Sequence, residues 1–477
     1  MKKNTPKKHA DKDSSSTIKL AEPITVDRRS RVDRKDEGKA LRLAVPLASH
    51  AQWHAPTHRY DPIDLLIESG VGRVPELLPI RYGRMMQSPF TFYRGAAAIM
   101  AADLAGLPST GVRVQACGDC HLLNFGSFAT PERRQIFAIN DFDETLPAPW
   151  EWDIKRLVSS FLVAGRSNSF TTEEAREAAQ TCARSYREHM REFAKMGVLD
   201  VWYYSIELED LLETIEDETA KARVKKRFVK ARDRDVLDED FPELVTFEGG
   251  KHRIRDNPPL IYHFQGDEEE VVEARVRDAF ERYRATLAED RRLLLDRYEY
   301  KDIAMKVVGV GSVGTRCSIM LLMGGADDPL FLQVKEARAS VLEPYAGQSA
   351  YSNHGQRVVM GQRLMLSASD IFLGWTEGKL GNHFYIRQMR DMKLKAMVEL
   401  FSPSVMNQYA QLCGWALACA HARSGDAAKI AGYLGKKEDF DEALADFSES
   451  YADQNEKDYK ALVRAVQEGR LDVYIER

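Results

Sequence analysis

The stretch VRVQACGDCHLLNFGSFATPERRQIFAINDFDETLPAPWEWDIKRLVSSF, residues 112–161, is the part of this sequence that says most about fold and function. Asp119 follows a glycine, and Asn124 comes five residues later. The apolar run at residues 136–139 predicts a short strand at residues 135–139, which leads into the acidic segment 140–144 (NDFDE). Asp153 then opens an amphipathic helix. Carboxylate and carboxamide oxygens at a strand end suit Mg²⁺, which proteins hold through one or two carboxylates together with substrate phosphates.

Each half of this pattern has a simpler explanation. An Asp followed by an Asn at this spacing occurs in ordinary turns, where both side chains bond to their own backbone. The acidic segment could equally be an exposed loop. We favour the functional interpretation because Asp119, Asn124, Asp141 and Asp153 occur together within one short stretch.

The pattern Gly118-Asp119-x-His121-x-x-Asn124, followed by Ile139-x-Asp141-Phe142-Asp143, resembles the catalytic and metal-binding loops of aminoglycoside phosphotransferases and other protein-kinase-like enzymes. The resemblance implies that Asp119 orients or deprotonates an acceptor hydroxyl, while Asn124, Asp141 and Asp143 hold metal. It also implies supporting roles for His121 and for Asp153, which would brace the loop. Cys117 departs from the family, which usually has a histidine there. Over its whole length the chain resembles an uncharacterised bacterial family, domain-of-unknown-function family 2252, whose name supplies no activity.

Composition places the chain among ordinary globular proteins. Its 477 residues are 44% hydrophobic and 30% charged, with a net charge of −5, which does not favour a dedicated nucleic-acid-binding protein. No apolar run approaches the length of a membrane span, and the basic N-terminus lacks the apolar core of a secretory signal. We therefore expect a cytoplasmic protein that binds neither membranes nor nucleic acids.

The six cysteines are scattered and do not form a disulfide framework. The segment 117–121 (CGDCH) matches the C-x-x-C-H pattern of c-type haem attachment, which normally needs export. A C-x-x-C metal or redox site is a second alternative, although no further Cys/His pair follows at zinc-finger spacing. Neither alternative explains Asp119, His121 and Asn124 together.

The rest of the chain divides into four expected parts. Residues 1–40 form a disordered polar tail, residues 41–300 a mostly helical lobe that carries the catalytic loop, residues 301–395 a β-rich nucleotide-binding-like lobe, and residues 396–477 C-terminal helices that pack on the larger lobe. Helices are expected at residues 90–104 and 171–194, with Thr172 as N-cap of the second, and two more within 440–469. The charged run 221–230 (KARVKKRFVK) indicates a solvated helix face. Arg94 is either a surface or capping arginine or a phosphate contact.

A glycine motif marks the expected nucleotide-binding lobe. Gly309-x-Gly311-Ser312-x-Gly314 is followed by strand-like residues rather than by the helix that a dinucleotide-binding fingerprint requires. A second strand then ends near Lys335. In kinase-like lobes such a loop closes over the phosphates and the lysine pairs with them, although this lysine alone could be an ordinary edge-strand residue.

Two elements of the kinase-like pattern are incomplete. The family's helix has a glutamate that pairs the lysine, but the helix expected at residues 352–367 contains none, which leaves Glu343 or polar contacts from Gln356 or Gln362. Residues 384–389 are the candidate hinge for the adenine edge. A second loop, residues 421–426 (HARSGD), places Arg423 and Asp426 as supporting candidates, or simply forms a helix C-cap with Gly425.

The catalytic-like loop precedes the glycine loop, which is the reverse of the order in ordinary kinases. The sequence therefore predicts an α+β, two-lobed, protein-kinase-like fold that is circularly permuted and carries large helical additions. The expected function is phosphoryl transfer from ATP, with Mg²⁺, to an unknown hydroxyl acceptor that is a small molecule rather than a protein. Nucleotidyl transfer on the same fold and a nucleotide-binding pseudoenzyme with a regulatory role are the alternatives. The permutation predicts that Lys335 and Asp141 lie within reach of one nucleotide.

Overall fold

The computed structural model describes residues 19–213, 241–263, 269–307, 309–325, 328–389 and 394–475. Helices and strands are mixed along the chain, so the predicted α+β class is confirmed. The helices are α1 Arg31–Ala44, α2 Pro62–Gly70, α3 Leu78–Met85, α4 Pro89–Gly95, α5 Ala97–Ala105, α6 Trp150–Ser167, α7 Thr172–Phe193, α8 Val198–Tyr203, α9 Leu208–Glu213, α10 Phe241–Leu244, α11 Glu269–Ala285, α12 Glu289–Leu295, α13 Glu343–Ala346, α14 His354–Met365, α15 Pro403–Ser424, α16 Ala427–Leu434 and α17 Asp439–Gln467.

The strands form one large sheet and three small ones in the described residues. They are β1 Arg113–Ala116, β2 Phe125–Ala129, β3 Gln135–Ile139, β4 Leu146–Pro149, β5 Val245–Glu248, β6 Lys251–Ile254, β7 Ile261–Tyr262, β8 Glu299–Lys306, β9 Cys317–Met323, β10 Pro329–Ala337, β11 Gly374–Glu377, β12 His383–Gln388 and β13 Leu394–Lys395. The large sheet has the order β11-β12-β10-β9-β8-β7, and the small sheets have the orders β13-β2-β3, β1-β4 and β5-β6.

The large sheet is covered on both faces. Every residue of β9 is buried. Because successive residues of a strand point to opposite faces, Leu322 packs in one apolar cluster with Tyr283 of α11, and Leu321 packs in another with Ile254 of β6. Burial on both faces explains why β9 reads as the continuous apolar run CSIMLLM rather than as an alternation.

The large sheet extends beyond the β-rich segment expected at residues 301–395. Strand β7 pairs with β8, which itself begins at Glu299, and α11 packs against β11. The boundary expected at residue 300 therefore lies inside the sheet. The short strands β5 to β7 lacked the length and alternation that would have revealed them.

The hairpin β2–β3 packs against the helices that form the largest apolar cluster of the described residues. Helix α6 is buried from Trp150 to Gly165, and it packs on α7 and α17. Helices α7 and α15 approach closely because Gly414 has no side chain, and a Cβ there would overlap the carbonyl of Cys182. Phe125 of β2 and Ile139 of β3 belong to the same apolar cluster as these helices. The polar residues at the end of the hairpin are therefore fixed by the largest core of the molecule.

The predicted tail is too long. Helix α1 begins at Arg31, where the Ser30 side chain accepts a hydrogen bond from the Asp33 backbone N–H, and it packs on α16. Gly38 makes this approach possible because a Cβ would overlap the Lys429 carbonyl. Residues 31–40 thus belong to the folded chain despite their polar composition, since a few close contacts suffice to hold a capped helix against a neighbour.

Three helix predictions also need correction. Residues 90–104 form two helices, α4 and α5, which are separated at Ala96, and Arg81 donates a hydrogen bond to the Gly95 carbonyl at the break. Residues 440–469 form one long helix, α17, in which neither Gly nor Pro interrupts residues 439–467. Thr171, rather than Thr172, caps α7. The charged run 221–230 lies outside the described residues.

None of the helices in the described ranges has the length and apolar character that crossing a lipid bilayer would require.

Candidate functional site

The hairpin β2–β3 brings Asn124 and the segment that carries Asp141 and Asp143 to one end. Asn124 ends a short 3-10 turn, Leu122–Asn124, immediately before β2, and Phe125 pairs with Ile139 at the end of β3. The backbone N–H of Asn140 donates to the carbonyl of Asn124 over 2.8 Å. The Asn124 side chain donates through Nδ2 to the carbonyl of Asp119 over 2.6 Å, which leaves its Oδ1 for another partner. Asn124 therefore links the loop of Asp119 to the segment of Asp141.

Asp153 braces the loop that carries Asp119. Its carboxylate accepts hydrogen bonds from the backbone N–H groups of Cys117, over 2.6 Å, and Gly118, over 2.9 Å. The ring Nε2 of His421 lies 3.2 Å from Asp153 Oδ2, and its Nδ1 lies 2.9 Å from the Tyr186 hydroxyl. This is the bracing role that the resemblance implied for Asp153. His421 belongs to the supporting structure behind it.

Gly118 is required by the path of this loop. Its φ is +83°, and a Cβ would lie 2.5 Å from the carbonyl oxygen of Glu144. A side chain would be strained in this conformation and would also push away the acidic segment. The glycine thus lets the Asp119 loop pack directly against residues 140–144.

Asp119 is clamped on one side and open on the other. Arg156 of α6 donates to Oδ1 through Nε, over 2.8 Å, and through a terminal nitrogen. Oδ2 lies 3.9 Å from His121 Nε2, which is too far for a hydrogen bond. Burial lowers the pKa of His121, and the nearby arginines Arg94 and Arg156 add to that effect, so the imidazole is neutral at pH 7. Oδ2 therefore remains available to accept a proton or a hydrogen bond.

Lys335 lies between the two carboxylates of the acidic segment. Its Nζ is 3.5 Å from Asp141 Oδ1 and 2.8 Å from Asp143 Oδ2, so Lys335 and Asp141 are close together as the sequence predicted. Burial disfavours the charged lysine, but the two carboxylates outweigh it and raise its pKa well above the usual value. Burial also raises the pKa of Asp141. For Asp143 the charge and hydrogen bond of Lys335 overcome burial and lower the pKa to about 2.

Two more side chains donate to Asp143. The Tyr385 hydroxyl of β12 lies 2.6 Å from Oδ1, and the Ser312 hydroxyl of the glycine loop lies 3.1 Å from Oδ2. Both oxygens of Asp143 therefore have partners. Among the described residues the Asp141 carboxylate has Lys335 as its one hydrogen-bond partner, at the longer distance, and its side chain is 35% exposed. Asp141 is the better placed of the two carboxylates for a metal ion.

The glycine loop is held against the helical body. Val310 packs in an apolar cluster with Phe92 and Ile99, and Arg73 donates to the carbonyls of Gly311 and Val313. A Cβ on Gly311 would lie 3.6 Å from the Arg94 carbonyl oxygen and 3.8 Å from Asp119 Oδ2. The glycine loop thus comes within van der Waals reach of the Asp119 carboxylate, although nearly two hundred residues separate them along the chain.

Helix α14 supplies an arginine where the kinase-like pattern has a glutamate. The Arg357 side chain is buried and donates to the carbonyls of Asp143, Thr145 and Arg338. Glu343 lies 3.8 Å from His354, and neither it nor Gln356 or Gln362 bonds to Lys335. Lys335 pairs with Asp141 and Asp143, and Arg357 holds the backbone of the acidic segment.

A small open cleft lies beside the candidate hinge strand β12. Its walls come from β12, from the β2–β3 hairpin and from the end of α14 with the turn that follows; they comprise Phe128, Ala129, Ile139, Asn140, Gln362, Leu366, Asp370, Arg387 and Gln388. Arg387 also donates to the Asn140 carbonyl over 3.1 Å. The cleft is therefore adjacent to the segment that carries Asp141.

Two of the predicted supporting residues are not in the site. Asp426 caps α16 through its hydrogen bond from the Lys429 backbone and pairs with Arg34. Arg423 lies over the Trp202 ring and donates to the Leu366 carbonyl. Leu366 lines the cleft, whereas Arg423 is not among the lining residues. The loop at residues 421–426 ends a helix, as its simpler interpretation proposed, and the sequence could not show that Asp426 faces α1.

Sequence reasoning missed Arg156, Tyr385 and Arg357. Arg156 lies three residues after Asp153 on α6, so the helical spacing could have placed both on the face that meets the catalytic loop. Tyr385 and Arg387 alternate with apolar residues on β12, which indicated that they share one face of the sheet. No local signal identified Arg357.

The cysteine cluster does not form a metal site in the described residues. All six cysteines are free and buried, and no group of three or more His, Cys, Asp or Glu side chains there could hold a metal ion by itself. Cys117 Sγ lies 3.3 Å from the Asp141 carbonyl, and burial raises the pKa of the Cys120 thiol well above its usual value. Both thiols are buried within the loop that carries Asp119.

A family model described as an uncharacterized protein conserved in bacteria (DUF2252) matches residues 73–465. That range contains the catalytic-like loop, the acidic segment, the glycine loop and Lys335. Comparison with curated proteins and with solved structures gave no match.

Proposed function

We propose that this chain, which belongs to the DUF2252 family of bacterial proteins, is a phosphotransferase that uses ATP and Mg²⁺. The observation that carries the proposal is the convergence of Lys335, Asp141 and Ser312 with the loop of Asp119. A buried lysine, a partly exposed carboxylate, a glycine loop and a second carboxylate on its own braced loop are the parts that phosphoryl transfer needs. The acceptor is a hydroxyl compound, and we favour a small molecule over a protein.

The arrangement of the large sheet supports a kinase-like fold. The glycine loop lies between β8 and β9, Lys335 is on β10, and α14 comes before β11 and β12. Kinase-like enzymes carry their phosphate-binding loop and lysine in the same relation. Because the loop of Asp119 precedes this sheet in the chain, we propose a circularly permuted, two-lobed order.

In the proposed reaction, the acceptor oxygen forms a bond to the γ-phosphorus of ATP. The bond between that phosphorus and the β–γ bridging oxygen breaks, and ADP leaves with the electron pair. The acceptor proton passes to Asp119 Oδ2, which is available because Arg156 holds only Oδ1. Lys335 and the glycine loop hold the phosphates, so that catalysis rests on positioning and charge neutralisation.

The residues at the hairpin end fit a hard cation. Asp141 is partly exposed and Asn124 keeps Oδ1 free, whereas Asp143 is engaged by Lys335, Tyr385 and Ser312. We therefore assign the metal to Asp141 and Asn124, with Asp143 holding the lysine. One or two protein oxygens are enough for Mg²⁺, since phosphates and water complete its shell. When bound, it would neutralise charge on the β- and γ-phosphates.

The adenine base of ATP is proposed to enter the cleft beside β12. Asn140 lines this cleft. Its lining combines four apolar side chains with polar groups from Asn140, Gln362, Asp370, Arg387 and Gln388, a mixture that suits the apolar faces and polar edge of an adenine ring. The cytoplasmic location expected from the sequence stays a prediction.

Thermal melting with and without ATP and Mg²⁺ tests this proposal. A ligand that binds only the folded state stabilises it by RT ln(1 + [L]/Kd), about 2.7 kcal/mol at a hundredfold excess over Kd. We expect a Mg²⁺-dependent shift in the wild type that Asp141→Ala loses and that Asp290→Ala, an exposed control, retains. The absence of a shift with any nucleotide would refute the proposal.

Product analysis then identifies the chemistry. Release of ADP supports phosphoryl transfer, and release of pyrophosphate indicates nucleotidyl transfer instead. An Asp119→Asn variant that binds nucleotide like the wild type but has lost turnover supports the role of Asp119. If the wild type binds nucleotide without any turnover, the chain is a nucleotide-binding pseudoenzyme.

A further inference from the structure

The side chain of Arg73 lies across the glycine loop. Its Nη1 donates hydrogen bonds to the carbonyl oxygens of Gly311, over 3.0 Å, and Val313, over 2.6 Å. Its Nε donates to the carbonyl of Ser69, in the last turn of α2, over 3.0 Å. Because all three acceptors belong to the backbone, Arg73 ties two carbonyl groups of the loop to the end of a helix.

The residue after Arg73 holds the same loop. The backbone N–H of Val74 donates to the Gly314 carbonyl over 2.7 Å, and the Val74 side chain packs against an apolar cluster that contains the buried Val313. Gly314 has a φ of +88°, and a Cβ there would lie 3.2 Å from the Cβ of Arg73. A glycine at residue 314 therefore lets Arg73 lie this close to the loop.

A second set of contacts joins the loop to the acidic segment. The Ser312 hydroxyl donates to Asp143 over 3.1 Å, and Asp143 pairs with Lys335. The glycine loop is thus bonded both to the segment of Arg73 and Val74 and to the carboxylate that holds the lysine. A loop that the protein itself keeps in place loses less conformational entropy when a ligand binds, so such contacts favour affinity.

We propose that Arg73 is a positioning residue, which holds the glycine loop in the conformation that accepts the phosphates of the nucleotide. This inference rests on the proposed function for the identity of the ligand. Arginine suits the role because its fork of donors reaches the Ser69 carbonyl and two loop carbonyls at once, whereas the ammonium of lysine is a compact point charge. Arg73→Lys should therefore keep the charge but release the loop.

Arg338 provides a matched control. Its guanidinium donates to the carbonyls of Ser69 and Val71, at the same end of α2, and has no hydrogen bond to loop residues 309–314 in the described structure. Arg338→Lys makes the same chemical change beside the same helix end. A difference between the two variants then reports the contact with the loop rather than a change at α2.

Hydrogen exchange in the nucleotide-free protein tests the contact itself. The backbone N–H groups of Ser312 and Thr315 donate to the carbonyls of Gly309 and Ser312, so their exchange rates report local opening of the loop. We expect Arg73→Lys to speed exchange at both amides by about tenfold or more, while Arg338→Lys stays within about twofold of the wild type. Should Arg73→Lys fail to fold, Arg73→Gln is compared with Arg338→Gln in the same way.

Calorimetric titration with Mg-ATP and with adenosine tests the effect on the nucleotide. Arg73→Lys should bind Mg-ATP about tenfold more weakly than the wild type, which corresponds to about 1.4 kcal/mol. Its affinity for adenosine should equal that of the wild type, because adenosine has no phosphates to contact the loop. Arg338→Lys should bind both compounds like the wild type.

Several results would overturn the inference. Exchange that is unchanged in Arg73→Lys, or is accelerated equally in Arg338→Lys, would show that Arg73 does not hold the loop. Normal Mg-ATP affinity in a variant whose loop exchanges faster would separate the loop contact from nucleotide binding. An equal loss of affinity for Mg-ATP and adenosine would indicate a general distortion of the site.

A wild type that binds no Mg-ATP contradicts the proposed function instead. Hydrogen exchange in the nucleotide-free variants then still tests whether Arg73 holds the glycine loop, since that measurement needs no ligand.

Discussion

Lys335 and Asp143 form a direct ion pair, with Nζ 2.8 Å from Oδ2, although 192 residues separate them in the chain. The lysine side chain is only 4% exposed. Because water hardly reaches its ammonium group, the carboxylates of Asp143 and Asp141 are what balances its charge. Nucleotide phosphates would have to compete with Asp143 for the lysine. The pair therefore joins the sheet to the hairpin in the free protein and sets the charge balance of the candidate site.

Replacing Lys335 by Met should destabilise the protein by about 3 kcal/mol at pH 7, because the buried carboxylates lose their cation. The double variant with Asp143→Asn should lose less than the sum of the single variants. Urea unfolding of the four proteins gives the coupling energy. The control is Lys301→Met, whose pair with Glu299 is on the surface and should contribute at most about 1 kcal/mol. A coupling near zero would contradict the pairing.

The glycines of the loop should respond differently to alanine. Gly309 has open space around its Cβ position, so Gly309→Ala should leave stability and nucleotide binding nearly unchanged. Gly314 has a φ of +88°, and alanine there should cost about 1 kcal/mol or more in the free energy of unfolding. Gly311→Ala should fold normally but weaken turnover, because its methyl group would occupy the space beside Asp119. Melting and ADP release distinguish these cases, and full activity in Gly311→Ala would argue against the site.

Asp153→Ala should destabilise the protein by about 2–5 kcal/mol, since it leaves the backbone N–H groups of Cys117 and Gly118 without their acceptor. The Mg²⁺-ATP shift should also shrink, because the loop of Asp119 loses its brace. Glu177→Gln, an exposed change on α7, should stay within about 0.5 kcal/mol of the wild type. A stable Asp153→Ala protein with normal nucleotide binding would show that the loop holds its shape without the carboxylate.

The contribution of His50 to stability should fall as the pH is lowered from 7 to 5. Burial lowers the pKa of His50 to about 3 from 6.5, so between these values the unfolded chain takes up a proton that the folded state excludes. The stability contributed by His50 is thus present above about pH 6.5 and is lost as the pH falls, by at most about 1.4 kcal/mol per pH unit. His121 acts in the same direction.

His50→Gln should reduce that pH dependence by about one proton, while His58→Gln, at an exposed position, should leave it unchanged. The measurement is urea unfolding at several pH values between 5 and 7.5. A slope that is the same in wild type and His50→Gln would mean that the imidazole is protonated in the folded state.

The sequence by itself determined the local elements and the chemistry that they carry. The strand at residues 135–139 was predicted with its exact bounds, and the residues after the glycine loop were correctly assigned to a strand, because apolar periodicity is a local property of the chain. Asp119, Asn124 and Asp141 were proposed as site residues because their residue types and spacing indicate oxygen ligands at the end of a hairpin, and that role stays a prediction.

Only the tertiary structure decided which side chains pair with one another in the candidate site. Four pairings depend on contacts between segments that are distant in the chain. They are Lys335 with Asp143, Arg156 with Asp119, His421 with Asp153, and Asp426 with Arg34 of α1. Such contacts follow from how helices and sheets pack, and a side chain carries no local signal of which distant surface it will meet.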